Sequence, residues 1–97
     1  MSENIYDGEL REAVEKLMNN SSISDSTKDV ISYYYWAIGH EMADERDGSA
    51  VIQAGILESE ARKFGLHYIS ELAGRFAEEY QSEEDDRIAK REEREKK

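Results

Sequence analysis

At 97 residues the chain is one domain at most, short enough that folding removes only roughly 60–70% of its unfolded surface from water. Apolar residues make up 38% and charged residues 37%, so the core is thin and stability leans on helix formation or self-association. A net charge of −10 argues against direct contact with nucleic acid or an anionic membrane, because holding phosphates requires cationic side chains. The absence of cysteine excludes a disulfide framework and thiolate chemistry.

The opening Met1-Ser2-Glu3-Asn4 lacks a basic region followed by an apolar run. No apolar stretch approaches the ~20 residues that span a bilayer. Export and membrane insertion are therefore not signalled, and the cytoplasm is the simplest compartment. No cofactor is signalled either.

Proline is absent, and glycines and polar clusters divide the chain into four helical stretches. The first is predicted over residues 7–18, with Asp7 as N-cap and Leu10, Val14, Leu17 and Met18 on one face. Asn19-Asn20-Ser21-Ser22 ends it, because short polar side chains compete for backbone hydrogen bonds.

The second helix is predicted to start at a Ser26 cap and to end near Asp47, before Gly48. Val30, Ile31, Tyr34, Tyr35, Ala37, Ile38 and Met42 cover about half its circumference at 100° per residue. Tyr33, Trp36 and His40 form a separate patch beside that arc, which makes this the central helix or the binding one. Four consecutive rings, Tyr33-Tyr34-Tyr35-Trp36, point in several directions and cannot all enter one small core. Tyr34 and Tyr35 read as core. Tyr33 and Trp36 either pack beneath a neighbouring helix or chain, or join His40 as an exposed recognition patch.

Ser49 caps the third predicted helix, which reaches Phe64 with Ala50, Ala54, Leu57, Ala61 and Phe64 on one stripe and Gly65 at the left-handed stop. Ile52 and Ile56 point away from that stripe and imply a second contact surface. The fourth helix starts near residue 66 or 67, and Ile69, Leu72, Ala73, Phe76 and Tyr80 form its apolar stripe. Gly39, Gly55 and Gly74 fall inside predicted helices, where each costs about 1 kcal/mol relative to alanine and marks either close packing or a kink.

Residues 81–97 hold seven acidic and six basic side chains around Ile88. Acid-before-base pairs four apart (Glu83 with Arg87, Asp86 with Lys90, Glu92 with Lys96, Glu93 with Lys97) favour a helical extension fraying towards Lys97, with a disordered tail as the rival. Residues 1–80 keep 7 basic and 16 acidic residues, a net −9, so the acidity belongs to the folded body.

Two short patterns carry possible chemistry. His40-Glu41-Met42-Ala43-Asp44 sets His40 and Asp44 one turn apart like the histidine pair of a zinc-protease helix, but the second histidine is missing. Glu9, Glu12 and Glu15 on the first helix, followed by Glu41 and Asp44 on the second, resemble the Glu-x-x-Glu and Glu-x-x-Asp helices of the all-α nucleoside triphosphate pyrophosphohydrolases. That resemblance implies a magnesium site built of carboxylates. It covers about five residues, and Glu45-Arg46-Asp47-Gly48 stands where the family continues an apolar helix. Nucleophilic catalysis has no visible basis, since the serines sit in loops or caps.

The expected architecture is an all-α bundle of three main helices and a short N-terminal helix over residues 1–80, with a charged helical extension over 81–97. A homodimer or higher oligomer is expected through Trp36, Ile52 and Ile56. The leading function is a non-catalytic interaction protein, an inhibitor or nucleic-acid mimic. It would engage a basic surface of another protein through Tyr33, Trp36, His40, Asp29, Glu41, Asp44, Glu45 and Asp47. Its size and acidity fit small accessory proteins of viruses and mobile elements. The alternatives are the magnesium-dependent pyrophosphohydrolase and an oligomer that sequesters a nucleotide-like small ligand.

Overall fold

The computed structural model describes the backbone of residues 5–95 and, of their side chains, those of 5–46 and 48–81. The chain forms a small helical bundle. A π-helical turn, Tyr6–Leu10, leads into α1 (Arg11–Met18), followed by α2 (Asp25–Ala43), α3 (Asp47–Lys63) and α4 (His67–Glu95). Among the described residues there are no strands, and no helix is long and apolar enough to cross a membrane.

α3 lies between α2 and α4, which do not approach each other closely. The connections at 44–46 and 64–66 are so short that successive helices must run antiparallel. The resulting layer is covered on one side by the N-terminal turn and α1, which contact α2 and α4. Ala50, Ala54, Leu57 and Ala61 of α3 are fully buried. Three of these four being alanine, α3 is slim enough to sit beneath the other elements. Ile31 and Ile38 of α2, Leu10 before α1, and Leu72 and Phe76 of α4 complete the interior.

The N-terminal turn is anchored more deeply than the sequence pattern indicates, because Ile5 and Tyr6, both ahead of Asp7, are buried. Asp7 does not cap a helix. The backbone instead closes a wide turn in which the Leu10 N–H donates to the Ile5 carbonyl at 2.9 Å, and this wider turn directs Tyr6 inward. The Tyr6 ring stacks on Tyr35 at 4.4 Å between centroids and 13° between planes. Each phenol donates to the other residue's backbone carbonyl: Tyr6 Oη to Tyr35 O at 2.9 Å and Tyr35 Oη to Tyr6 O at 3.2 Å. Gly39 makes room for this clamp, since a Cβ there would collide with the Tyr6 hydroxyl.

Helix boundaries shift where capping chemistry outweighs composition. Ser24, rather than Ser26, caps α2, its hydroxyl accepting from the Thr27 N–H at 3.3 Å. α2 ends at Ala43 rather than near Asp47, and α3 starts at Asp47 rather than after a Ser49 cap. The stop between them is a Schellman turn, with Arg46 N–H donating to Glu41 O at 2.8 Å and Glu45 N–H to Met42 O at 3.1 Å. Glu45 takes the left-handed position at φ 59°, so Gly48 is left inside α3. The turn after α3 repeats the motif, with Leu66 N–H to Ala61 O at 2.8 Å, Gly65 N–H to Arg62 O at 3.1 Å and Gly65 at φ 75°. There glycine occupies the position the sequence assigns it.

The backbone of residues 81–95 continues α4 without a break. The four acid–base pairs expected along that segment lie outside the described side chains.

Candidate functional site

α2 buries Thr27, Ile31, Tyr35 and Ile38, a four-four-three spacing that fixes one face to the core. The opposite face follows from the same period. Asp29, Tyr33, Trp36, His40 and Asp44 recur every three or four residues and are all exposed, forming one stripe roughly 22 Å long at 1.5 Å per residue. Carboxylates stand at both ends and rings fill the middle. Tyr33 is 66% exposed and Trp36 64%, so among the described residues neither packs beneath another helix.

The exposed rings are braced from below. Tyr33 meets the half-buried Tyr34 edge-on at 5.1 Å and 88°, and Trp36 meets Tyr35 at 6.0 Å and 72°. Tyr35 is itself held by the clamp to Tyr6. The run of four aromatic residues therefore divides into two supports and two presented surfaces, which lowers the ordering a partner must impose on binding.

Trp36 forms a ridge between two open grooves. One, of about 630 Å³, lies towards α1, with Tyr6, Val14, Met18 and Tyr35 among its walls and Asp7, Arg11 and Glu15 also lining it. The other, of about 580 Å³, lies towards α3 and is lined by Asp29, Tyr33, Ala37, His40, Glu41 and Gln53 together with Trp36 and Ser32. Glu41 is half-buried, and its Oε2 is a buried acceptor without a hydrogen-bond partner among the described residues. A buried carboxylate oxygen is costly unless a donor reaches it.

The phenols beneath the stripe are held neutral. Burial pushes Tyr6 far above its ordinary value, the adjacent Tyr35 adding to the rise and the Gly39 backbone N–H opposing it. Burial raises Tyr35 as well, against the hydrogen bond from Tyr6.

The structure thus brings Asp29, Tyr33, Trp36, His40 and Glu41 together around one groove. Asp44 extends the stripe, and Glu45 is exposed in the turn beyond it. The side chain of Asp47 lies outside the described ones. Ile52, 62% exposed, and the half-buried Ile56 sit on the outer side of α3 instead. The carboxylates of the pyrophosphohydrolase-like pattern do not converge on one site: Glu9 and Glu12 line a groove between α1 and the start of α4, with Glu9 3.9 Å from Arg75, Glu15 pairs with Arg11, and Glu41 faces the α2–α3 groove. Among the described residues no group of three or more His, Asp or Glu side chains is placed to hold a metal ion.

Sequence reasoning missed Tyr6 as the brace of the site. The adjacent apolar pair Ile5-Tyr6 immediately before the helix was the available signal, an arrangement that staples a helix entry to the core. It also missed the burial of one Glu41 oxygen, which depends on where α3 lies. No family model, curated protein or solved structure matches the chain.

Proposed function

We propose that this is a non-catalytic interaction protein whose α2 outer face binds a basic surface of another protein and blocks it, in the manner of an inhibitor or polyanion mimic. The observation that carries this reading is the stripe Asp29, Tyr33, Trp36, His40 and Asp44, left exposed among the described residues and bordered by the Glu41 groove. Braced aromatic residues are the side chains most often dominant at interfaces. An arginine or lysine laid against Trp36 or Tyr33 gains from the ring quadrupole and from the nearby negative charge of Glu41, which lines the same groove. The net charge of −10 steers such a partner in and speeds encounter more than it adds affinity.

Trp36 is the chain's one tryptophan, so its fluorescence reports on the groove directly. Titration with arginine-rich and lysine-rich peptides is expected to give a saturable change that weakens as salt rises. Trp36→Ala and Glu41→Gln, read by calorimetry, are expected to bind at least about tenfold more weakly, a loss of roughly 1.4 kcal/mol. Affinity capture with the wild type and these variants then identifies the natural partner as a protein recovered by the first and lost by the others. Binding indifferent to salt, or equal in wild type and Glu41→Gln, refutes the reading.

A further inference from the structure

The α2–α3 groove differs in charge from three other open grooves of the bundle, each of which mixes acids with bases. Lys16 stands beside Glu9 and Glu12 between α1 and α4, Arg11 pairs with Glu15 beside α1, and Arg62 pairs with Glu58 between α3 and α4. The α2–α3 groove is lined by Asp29 and Glu41 and, among the described residues, by no lysine or arginine. Neither carboxylate has an ion-pair partner among those residues. The sequence carries the same asymmetry: residues 29–45 hold four carboxylates and no lysine or arginine, although the chain has 13 such cations elsewhere.

The same wall presents rings. Tyr33 and Trp36 both line the groove and are largely exposed. Tyr33 follows Asp29 by one helical turn, a spacing that sets neighbouring side chains ~5–6 Å apart at Cβ. A ring and a carboxylate acceptor therefore adjoin at the rim. Glu41 adds negative charge from a half-buried position, where solvent and salt screen it less.

Resting on the reading that the outer face of α2 takes a basic partner, we infer that this groove selects arginine over lysine. The guanidinium lies on the Tyr33 ring and donates from its edge to Asp29, with Trp36 walling the next turn. A guanidinium is weakly hydrated, stacks on aromatic faces and carries its N–H donors in a planar fork that matches a carboxylate. It can satisfy ring and acid at once. The lysine ammonium is a strongly hydrated point charge that must shed water to touch a ring. A trimethylated ammonium gains from the rings but has no N–H to offer Asp29. At about 580 Å³ the groove is larger than one side chain, so the probe is a peptide and not the free amino acid.

Three peptides of one sequence without tyrosine or tryptophan, carrying arginine, lysine or trimethyllysine at the same three positions, are titrated into the full chain and followed by Trp36 fluorescence. Their charges are equal, so long-range attraction does not rank them. The arginine peptide is expected to bind at least about tenfold more tightly than either of the others. Asp29→Asn, and separately Tyr33→Leu, should cut that preference to about threefold or less with helical circular dichroism unchanged. Asp25 is exposed one turn before Asp29 and does not line the groove, so Asp25→Asn removes the same charge and should keep the preference. Saturable, salt-dependent binding in which lysine or trimethyllysine matches arginine overturns the selection and leaves the basic-partner reading standing. Loss of the preference in Asp25→Asn as large as in Asp29→Asn also overturns it, because net charge alone then sets the ranking. No saturable binding by any of the three removes both readings.

Discussion

The Tyr6–Gly39 contact gives the most demanding test of how the site is built. Tyr6→Phe keeps the stacked ring but removes the 2.9 Å hydrogen bond to Tyr35 O. That carbonyl lies inside α2 and keeps its helical partner, so the expected loss is that of one net hydrogen bond, about 1 kcal/mol. Gly39→Ala gains about 1 kcal/mol of helix propensity, but drives a methyl into the Tyr6 hydroxyl, an overpacking cost of about 1–3 kcal/mol. The net is a destabilisation of about 1 kcal/mol, from the midpoint of that range. Once the hydroxyl is gone, the nearest atom is the ring Cζ at 3.2 Å, which a shift of a few tenths of an ångström relieves. The double variant should therefore be no less stable than Tyr6→Phe alone, a coupling of about 1–2 kcal/mol between the two sites. Urea unfolding followed by circular dichroism, at one fixed protein concentration so that association does not enter, measures all four proteins. Additive effects within about 0.5 kcal/mol, or stabilisation by Gly39→Ala in the wild-type background, would refute the argument.

Three further outcomes follow from the same structure. Tyr6 stays protonated in the fold at pH values where the unfolded chain ionises near its ordinary value of 10.0; above that value the unfolded state binds fewer protons, so stability is intact below it and falls as pH rises. Tyr6→Phe should remove up to about 1.4 kcal/mol per pH unit of that alkaline loss, as read from urea midpoints between about pH 9 and 12. Glu45 holds a left-handed conformation at φ 59°, so Glu45→Gly should stabilise by about 0.5–1 kcal/mol while Gly65→Ala, at φ 75°, should destabilise by about 1 kcal/mol, both visible as opposite shifts in melting temperature. Trp36→Ala should cost only about 1 kcal/mol of stability, because a side chain 64% exposed has little burial to lose and alanine is the better helix former; a larger loss would make Trp36 a structural residue and not a presented one.

The helical periods of this chain were legible because each long helix repeats its apolar residues on one face. Ile31, Tyr35 and Ile38, like Ala50, Ala54, Leu57 and Ala61, were assigned to the core from spacing alone and are buried. The boundary between α2 and α3 was not legible, since Gly48 is the expected stop and the chain instead places Glu45 in the left-handed position. Two backbone hydrogen bonds close that turn, and no composition rule ranks them above the preference for glycine. The stripe of the candidate site was half legible. Periodicity put Tyr33, Trp36 and His40 off the core, but only the packing of α1 decides that Tyr33 and Trp36 stay uncovered. Glu41 was grouped with the exposed acids, whereas the approach of α3 buries one of its oxygens.

That uncovered side has a geometric cause. Three helices in a layer expose two faces, and the eight residues of α1 with the preceding turn can cover only one. The open face would ordinarily be made polar along its length, as α4 does with Glu71, Arg75 and Glu78 beside Glu58 and Arg62. α2 and α3 do the opposite: residues 30–39 and 48–57 carry no charge, and they place Tyr33, Trp36 and Ile52 outward at more than 60% exposure. In a chain that is 37% charged, charge is thus withheld from two adjacent helices where the monomer has no need of apolar surface. Large exposed apolar side chains grouped in this way mark association. The aromatic stripe, bracketed by acids, suits a basic partner whose binding weakens as salt rises.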